Sequence, residues 1–418
     1  MATDSSDKDA KPSALKPSSH IGFLDQCRGV AIVLVFLTHC ITDFPARLKL
    51  ALHNPVGVIS DFASGKLDSH FLLQFLAFYP CRLGWSGVAV FFVVSGFCIH
   101  LSYFQSAKPN FTTFYVRRFF RLYPAYLLSI LLFGILLPAC RFPLAEFMHW
   151  DQFGAHLLLC QNLWHSFTWH IDPVYWSIAV EAQLYLLFPI LLVVVRRYSF
   201  TNALLLLGAV EFGLHLTTVL FFEGGDRVPP ALLRNSPFFY WFSWAIGAAI
   251  ADAYLKRKPL PFRGISPLVW LIAAIATSGF SATEFSFSFF ALSTASLLAR
   301  HLSRSLSEEK MSLLSRFLRL TGTYSYSIYL IHYPIIKVVV ASCSRIFPGL
   351  EKHPIQIFCA GLSSWLIVFP LAALIYHRVE KPGISLGRKL LANWGQRLAN
   401  RASANTPSAT DVVSGRPA

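Results

Sequence analysis

The chain has 418 residues, of which 55% are hydrophobic and 14% are charged, whereas a soluble domain usually carries about 25% charged residues. This composition excludes an ordinary soluble enzyme and predicts an all-α polytopic membrane protein, a bundle of transmembrane helices with the lipid bilayer as its partner. The formal net charge of +15 does not indicate nucleic-acid binding, because most basic residues fall in short segments between apolar stretches.

Apolar stretches that are long enough to cross a bilayer predict about ten transmembrane helices. They lie near residues 22–44, 84–104, 122–140, 174–195, 202–222, 238–254, 265–280, 283–299, 324–347 and 355–377. Two shorter apolar pieces, 71–79 and 156–164, are too brief to span and are interpreted as interfacial or re-entrant segments. We expect a membrane domain at 20–385, a disordered cytoplasmic tail at 1–19 and a cytoplasmic C-terminal tail at 386–418, with disorder from about Ala402.

The basic residues predict the orientation of the chain in the membrane. With the N-terminus inside, the segments on the inner side carry 25 Lys and Arg residues, and those on the outer side carry 9. Because basic loops stay in the cytoplasm, both termini are predicted to be cytoplasmic, with the chain in the inner or plasma membrane of the cell. The first apolar segment contains Asp25 and Arg28 and precedes no small-x-small cleavage site, so it is interpreted as a retained helix.

The eight cysteines are scattered, mostly in apolar spans, with no Cys-x-x-Cys pair and no cysteine–histidine cluster. They are interpreted as small buried hydrophobic residues. Neither a metal site nor a disulfide framework is expected.

Arg28 and His39 lie eleven residues apart in the first predicted span. At roughly 100° and 1.5 Å per residue, both leave the same helix face, about 16 Å apart along the axis. Ionisable groups inside a membrane helix are costly and usually mark a pathway, a partner or chemistry. We interpret the pair as an anion anchor and a proton acceptor that line one passage. In the alternative interpretation, Arg28 reaches lipid headgroups and His39 is a hydrogen-bonded core residue.

Two polar patches follow in the second and third spans. Ser95 and Gly96 favour close helix packing, with a functional role as the alternative. Arg117, Arg118 and Arg121 open the third span from its predicted cytoplasmic side. A topology signal or contact with lipid headgroups would explain them, but guanidinium groups also bind phosphates well.

Two more patches lie in the fourth and ninth spans. Ser177, Glu181 and Tyr185 repeat every four residues and form one polar stripe on an apolar helix. A buried carboxylate there must be paired, protonated or facing a water-filled cavity. Tyr329 and His332 share one face of a later span. Tyrosines at span ends are often interface anchors, and this interpretation would explain Tyr329. It does not explain His332.

In order and spacing, these patches resemble the acyltransferase 3 family of integral membrane O-acyltransferases over residues 20–385. The resemblance rests on Leu24-Asp25-Gln26-Cys27-Arg28-Gly29, Arg28-x10-His39, Phe91 to Phe97, Arg118-x-x-Arg121, Trp176-Ser177-x3-Glu181, Tyr326-Ser327-x-Tyr329-Leu330-x-His332 and Glu380-Lys381-Pro382. The sequence departs from the family where Gln26 and Cys27 replace the frequent Gly and Leu, where Ala89 replaces a common Asp, and where Ala182 replaces a frequent second Glu.

The resemblance implies transfer of an acetyl or other short acyl group from cytoplasmic acyl-coenzyme A to a hydroxyl of a carbohydrate, such as a cell-surface polysaccharide or glycolipid. It implies catalytic roles for Arg28 and His39. Some family members also carry an SGNH-hydrolase-like domain, which is not expected here because only about forty residues follow the last predicted span. The membrane helices and loops would then bind the acceptor.

Acyl transfer needs a held thioester, a base for the hydroxyl proton and a group that steadies the oxyanion. We expect His39 to act either as that base or as an acylated intermediate, with Glu181 or Asp25 orienting it. Supporting positions are expected at Asp25, Ser95, Trp176, Ser177, Tyr329 and His332.

Acyl-coenzyme A is expected as the donor substrate, with no permanently bound cofactor. Coenzyme A carries three phosphates, so Arg117, Arg118 and Arg121 are expected to bind the donor.

The main alternative is a proton-coupled transporter or flippase of an envelope sugar, in which buried His, Glu and Arg side chains relay protons. No internal repeat and no matching pair of broken helices supports this alternative. A receptor or structural scaffold is a third possibility, but it does not explain why Arg28 and His39 share a helix face.

Overall fold

The computed structural model describes residues 18–106, 108–139, 149–222, 228–279, 283–304 and 312–404. Throughout these ranges the ordered elements are helices, and no strand occurs among them. The prediction of an all-α fold is therefore confirmed. The predicted tails lie mostly outside the described residues, although the last helix continues through 386–404.

The helices of eight or more residues are numbered here in chain order. In the first part of the chain they are α1 (Ser18–Cys40), α2 (Ala46–His53), α3 (Pro55–Ala63), α4 (Ser69–Arg82), α5 (Gly87–Phe104), α6 (Phe111–Leu131), α7 (Trp150–Leu157), α8 (Tyr175–Tyr198) and α9 (Phe200–Phe222). They continue with α10 (Trp241–Leu255), α11 (Pro267–Gly279), α12 (Thr283–Leu302), α13 (Leu313–Thr323), α14 (Ser325–Ile346), α15 (Pro354–Ser363), α16 (Trp365–Ile375) and α17 (Lys381–Ala404).

Several helices begin where a polar side chain satisfies a free backbone N–H group. The Asn110 side chain accepts a hydrogen bond from the Thr113 backbone at 2.7 Å and starts α6. Asp68 accepts one from the Phe71 backbone at 2.7 Å and starts α4. Such caps supply partners for N–H groups that the helix itself leaves unpaired.

Seven helical stretches among the described residues are long and apolar enough to cross a membrane. They are Gly22–Cys40, Ser69–Phe104, Phe111–Ala139, Tyr175–Tyr198, Phe200–Phe222, Ser325–Ile346 and Pro354–Arg397. The other three predicted spans coincide with the shorter or less apolar helices α10, α11 and α12. The polytopic membrane class is therefore confirmed, and the number of ten stays a prediction.

The two short apolar pieces pack into the protein. Residues 71–79 belong to α4, which leads through the 3₁₀ turn Leu83–Ser86 directly into α5. Residues 156–164 form the end of α7 and a second 3₁₀ turn, in which Gln161 and Asn162 are fully buried. Asn162 and Gln183 of α8 exchange hydrogen bonds at 3.0 and 2.7 Å, so this segment is held against a long helix.

Helix α1 lies at the centre, where it packs against α5, α13 and α14. Helix α5 also packs closely against α10. A Cβ atom on Gly96 would lie 2.1 Å from the Trp244 carbonyl oxygen, and one on Gly247 would lie 2.0 Å from that of Val93. Only glycines allow the two backbones to approach this closely. The packing interpretation of Gly96 is therefore supported by its environment.

Candidate active site

Two cavities lie on either side of Tyr329 and Val88, which line both of them. The first, called the arginine cavity, has a volume of about 110 Å³, and its charged lining groups are Arg28, Arg118, Arg121 and Glu181. The second, called the histidine cavity, has a volume of about 530 Å³ and is lined by His39 and several aromatic and basic residues. The second volume lies within the range of sites that bind small molecules.

Arg28 enters the arginine cavity from α1. Its guanidinium group donates to the Asp25 carboxylate one turn earlier at 3.0 Å and to Cys98 Sγ of α5 at 3.2 Å. Its side chain remains 26% exposed, so a ligand in the cavity has access to the group. Asp25 fixes the orientation of this guanidinium group.

The arginines of α6 differ in their surroundings. Arg121 forms an ion pair with the buried carboxylate of Glu380, which also accepts from Ser327 Oγ at 2.9 Å. Arg118 donates to Ser102 Oγ at 2.8 Å and has a buried Nε without a hydrogen-bond partner among the described residues. Arg117 is exposed outside the arginine cavity. Of the two α6 arginines that line the arginine cavity, Arg118 is therefore the one with more capacity left for an anion.

Glu181 projects from α8 into the arginine cavity. Ser95 Oγ of α5 donates to its carboxylate at 2.6 Å and Tyr185 donates at 2.7 Å. The indole of Trp244 donates to Ser95 Oγ at 3.3 Å. Two donors thus hold the carboxylate, and the nearby guanidinium group of Arg28 in the same cavity provides the opposite charge.

His39 lies at the wall of the histidine cavity, and its hydrogen bonds define its protonation pattern. Nδ1 lies 2.8 Å from the Val35 carbonyl oxygen and 3.3 Å from His332 Nε2. A carbonyl oxygen only accepts, so Nδ1 of His39 carries the proton. Nε2 then holds the lone pair, and no described residue hydrogen-bonds to it. A neutral histidine in this tautomer can accept a proton through Nε2.

His332 is fully buried behind His39. Its Nδ1 lies 2.9 Å from the Tyr329 carbonyl oxygen and 3.2 Å from that of Ile328, so this nitrogen also donates. Nε2 of His332 is therefore the acceptor that faces Nδ1 of His39.

Tyr329, Ser177 and Trp176 lie where the two cavities adjoin. The Tyr329 hydroxyl lies 2.6 Å from Ser177 Oγ and donates to the Val174 carbonyl oxygen at 3.1 Å. Ser177 lines the arginine cavity, whereas Trp176, the preceding residue, lines the histidine cavity. The start of α8 therefore contributes side chains to both cavities.

Two expectations about this region are corrected by the structure. Arg28 lines the arginine cavity and His39 lines the histidine cavity, so the single passage is replaced by two adjoining cavities that share Tyr329 and Val88 in their walls. Neither Glu181 nor Asp25 hydrogen-bonds to His39 among the described residues; His332 and the Val35 carbonyl oxygen orient it instead. The reason is that α14 crosses α1 beside His39, whereas α8 meets the bundle at the arginine cavity.

Sequence reasoning did not identify the basic and aromatic wall of the histidine cavity. Its charged and ring-bearing members include Lys49, Arg82, Trp85, Trp169, Arg234 and Glu284. Arg234 and Glu284 form an ion pair at 2.9 Å. A usable signal in the sequence was the pair of arginines in each of the loops that precede the second and sixth predicted spans, together with the three tryptophans in the loop that precedes the fourth.

The comparisons with known proteins agree on one family. Residues 21–376 match the acyltransferase domain of the acyltransferase 3 family. Nodulation protein 10 of Rhizobium leguminosarum bv. viciae is 26% identical over 341 residues, which cover 73% of this chain and 84% of the relative. O-acetyltransferase OatA of Staphylococcus aureus is 28% identical over 346 residues, which cover 74% of this chain and 54% of the relative.

A third relative is the putative peptidoglycan O-acetyltransferase YrhL of Bacillus subtilis, 27% identical over 337 residues. The aligned part covers 72% of this chain and 50% of that relative, so the chain spans about half the length of YrhL and OatA. No solved structure matches the chain. Because the family match covers most of the sequence and both the helical fold and the embedded polar cavities fit it, the chain belongs to the acyltransferase 3 family and is an integral membrane acyltransferase.

Proposed function

We propose that this protein transfers an acyl group, most simply acetyl, from acyl-coenzyme A in the arginine cavity to a carbohydrate hydroxyl in the histidine cavity. The observation that carries the proposal is the junction of the two cavities at Tyr329 and Val88. A cationic cavity on one side of this junction suits a phosphate-bearing donor. An aromatic cavity on the other side, with a free imidazole lone pair, suits a sugar that must lose a proton.

The donor would place its phosphates at the guanidinium groups of Arg28 and Arg118, and its narrow acyl-bearing end towards Tyr329. The volume of about 110 Å³ holds only this narrow end, so the nucleotide part would lie at the mouth of the cavity. On the predicted topology this mouth faces the cytoplasm, where acyl-coenzyme A is made. Glu181 and Ser95 would shape the wall beside the pantetheine chain.

In the transfer step, the sugar oxygen attacks the thioester carbonyl carbon and the carbon–sulfur bond breaks. Nε2 of His39 takes the hydroxyl proton as general base and then gives it to the departing coenzyme A thiolate. His332 accepts a hydrogen bond from Nδ1 of His39, which keeps the basic nitrogen directed away from the helix and towards the acceptor. General-base catalysis of this kind is commonly worth about a hundredfold to ten-thousandfold in rate.

The relatives support the reaction class and one acceptor class. Two of them are named as O-acetyltransferases, and one of these as a putative peptidoglycan O-acetyltransferase. We infer from these names that the acceptor of this chain is a cell-surface glycan or glycolipid at the plasma membrane.

The test uses the full chain, purified and reconstituted in liposomes, with acetyl-coenzyme A labelled in the acetyl group. We expect saturable binding of the donor and, when glycan from the host surface is added, an alkali-labile labelled ester. His39→Ala should bind the donor equally well and form no ester. A transporter would move glycan across the liposome membrane without ester formation, and failure of the wild-type chain to bind acetyl-coenzyme A would overturn the proposal.

A second test compares the O-acyl content of surface glycans in host cells with and without the gene. Loss of one ester in the absence of the gene, and its return with the wild-type gene but not with the His39→Ala gene, is the expected result. Equal ester content in all three strains would contradict the proposed function.

A further inference from the structure

We propose that the histidine cavity takes a carbohydrate that itself carries a negative charge, a carboxylate or phosphate group held by Arg82 and Lys49 beside the hydroxyl that is acylated. The inference rests on the proposed function and goes beyond it, because it names the charge class of the acceptor. The relatives and the family match leave this charge class open.

The first observation is an imbalance of charge in the cavity wall. Three fixed cations, Lys49, Arg82 and Arg234, face a single carboxylate, that of Glu284. Glu284 is committed to Arg234 in the 2.9 Å ion pair. No ion pair between described residues includes Lys49 or Arg82. Two positive charges in the wall are therefore without a carboxylate partner among the described residues.

Of the two cations, Arg82 gives the stronger evidence for an anion site, because part of its guanidinium group is buried without a hydrogen-bond partner among the described residues. Its Nε is inaccessible to solvent and has no hydrogen bond among the described residues. An unpaired buried donor of a charged group is costly, and a ligand anion would remove that cost. In the arginine cavity, Arg28 and Arg121 each have a carboxylate partner, and Arg118 is the cation whose buried Nε is likewise without a partner among the described residues.

Arg82 is also close to the proposed base. Thr38 Oγ1 donates to the Arg82 carbonyl oxygen at 3.4 Å, which joins the end of α4 to the residue immediately before His39. Both Arg82 and His39 line the same cavity. An anionic group on the sugar held by Arg82 would therefore lie within a sugar ring or two of the hydroxyl that loses its proton.

The remaining titratable groups around this wall do not cancel the two cations. Burial lowers the pKa of His53, and the positive charges of Arg82 and Lys49 lower it further, so all three groups are crowded together. Val174 lines the cavity, and its backbone N–H donates a hydrogen bond to the Asp172 carboxylate at 3.0 Å. Burial raises the pKa of Asp172 well above its usual range, which favours the uncharged acid. The other titratable groups in the wall are His39, His165, Tyr240 and Tyr329, none of which is a carboxylate.

The rings of the wall complete the site for a sugar. Trp85, Trp169 and Trp176 line the cavity together with the two free cations. Indole rings provide broad apolar faces with a polar edge, which match the apolar faces and hydroxyl edges of a pyranose ring. Arginine presents the planar fork that binds a carboxylate or a phosphate through two hydrogen bonds.

The first experiment identifies the charge of the product. Membrane vesicles that contain the full chain receive acetyl-coenzyme A labelled in the acetyl group, and the labelled glycan is applied to an anion-exchange column. We expect retention on the column, which reduction of carboxyl groups abolishes if the anion is a carboxylate and phosphatase abolishes if it is a phosphate. A labelled glycan that passes unretained overturns this inference alone, whereas absence of any labelled glycan overturns the proposed function.

The second experiment changes the two cations and uses the retained glycan as acceptor. Lys49→Gln and Arg82→Gln should each raise the KM for this glycan about tenfold or more, with kcat and the affinity for acetyl-coenzyme A unchanged. Arg82→Lys should keep part of the affinity, because it preserves the charge and loses the fork. Lys66→Gln is the matched control, since Lys66 is an exposed cation that pairs with Asp61 and does not line the cavity.

The same variants are then compared on the acceptor whose anionic group has been neutralised. On this acceptor we expect the wild-type chain and Arg82→Gln to have the same raised KM. An unchanged KM of both variants on the charged acceptor, or equal shifts on charged and neutralised acceptor, would overturn the inference. Lys49 is exposed, so its variant reports on binding even if Arg82→Gln lowers the amount of folded protein.

Discussion

The Nε2 atom of His332 lies 3.3 Å from Nδ1 of His39, and the two rings cross at 75° with their centroids 5.0 Å apart. The residues are 293 positions apart in the chain. Because His332 donates through Nδ1 to a backbone carbonyl group, only its Nε2 lone pair is available to His39. The contact therefore adds a second acceptor to the Val35 carbonyl oxygen, and both acceptors favour the tautomer of His39 that leaves Nε2 free as a base.

His39→Ala should abolish acyl transfer while the protein stays folded in the membrane, because the general base is lost. A histidine moved to Thr38 in the His39→Ala chain should not restore activity, since one position rotates the side chain by about 100° around α1. Transfer is measured as labelled ester, and donor binding reports on folding. Near wild-type transfer by His39→Ala would make the histidine a packing residue.

Variants of His332 should show whether this residue positions the ring of His39 or only stabilises the fold. His332→Leu removes one of the two acceptors of Nδ1 of His39 and leaves the Val35 carbonyl oxygen. It should lower kcat with little change in KM, by less than the about ten-thousandfold that follows complete loss of the group that orients a catalytic histidine. His332→Gln offers an amide oxygen as acceptor and should keep more activity. Steady-state kinetics on equal amounts of folded protein measure both effects. Equal kcat values for the two variants would argue against the positioning role.

Arg118→Gln should weaken coenzyme A binding by about 1.5–3 kcal/mol, because it removes a charged hydrogen bond to a phosphate. Arg117→Gln is the control on the same helix, since Arg117 is exposed outside the arginine cavity. Equilibrium binding of coenzyme A measures the difference. If both variants bind coenzyme A like the wild-type chain, Arg117 and Arg118 do not bind the donor and act only as a topology signal.

Arg121→Gln should lower the amount of folded protein, because it leaves the buried Glu380 carboxylate without its ion-pair partner. Arg121→Gln combined with Glu380→Gln should recover much of that loss, since the amide carries no charge. Gel filtration in detergent measures the folded yield. Equal yields of the single and the double variant would contradict this account.

Gly96→Ala should destabilise the bundle by about 1–3 kcal/mol, because a Cβ atom there would lie 2.1 Å from the Trp244 carbonyl oxygen. Gly213→Ala is the control, since no heavy atom lies within 4 Å of a Cβ at this position of α9. Thermal unfolding in detergent compares the two. A Gly96→Ala chain as stable as the Gly213→Ala chain would mean that α5 and α10 separate at no cost.

Cysteines at Ser166 and Lys256 should react with membrane-impermeant reagents from opposite sides, as the positive-inside bias predicts. Both positions are exposed, whereas Asp172 in the same loop as Ser166 is fully buried and would not react. The background chain carries Cys359→Ser, because Cys359 is an exposed thiol. Labelling of both positions from one side would contradict the predicted topology and the assignment of the cavities to membrane faces that rests on it.

Local properties of the sequence determined the class of protein and most of the site's residue types. Hydropathy predicted the positions of the long helices, since a bilayer requires each span to be apolar over a fixed length. The helical period placed Arg28 and His39 on one face of α1, and both do line cavities. The polar stripe of Ser177 and Glu181 faces the arginine cavity because a carboxylate in an apolar helix needs polar neighbours.

Tertiary packing decided which of these residues line the arginine cavity and which line the histidine cavity. Tyr329 and Val88 lie between the cavities, so Arg28 and His39 face different cavities although they share a helix face. His332 became the partner of His39, and Arg82, only a basic loop residue in the sequence, became part of the wall of the histidine cavity. Periodicity reports on a single helix, whereas a cavity forms where helices distant in sequence cross, and the crossing depends on side-chain shapes along their whole length.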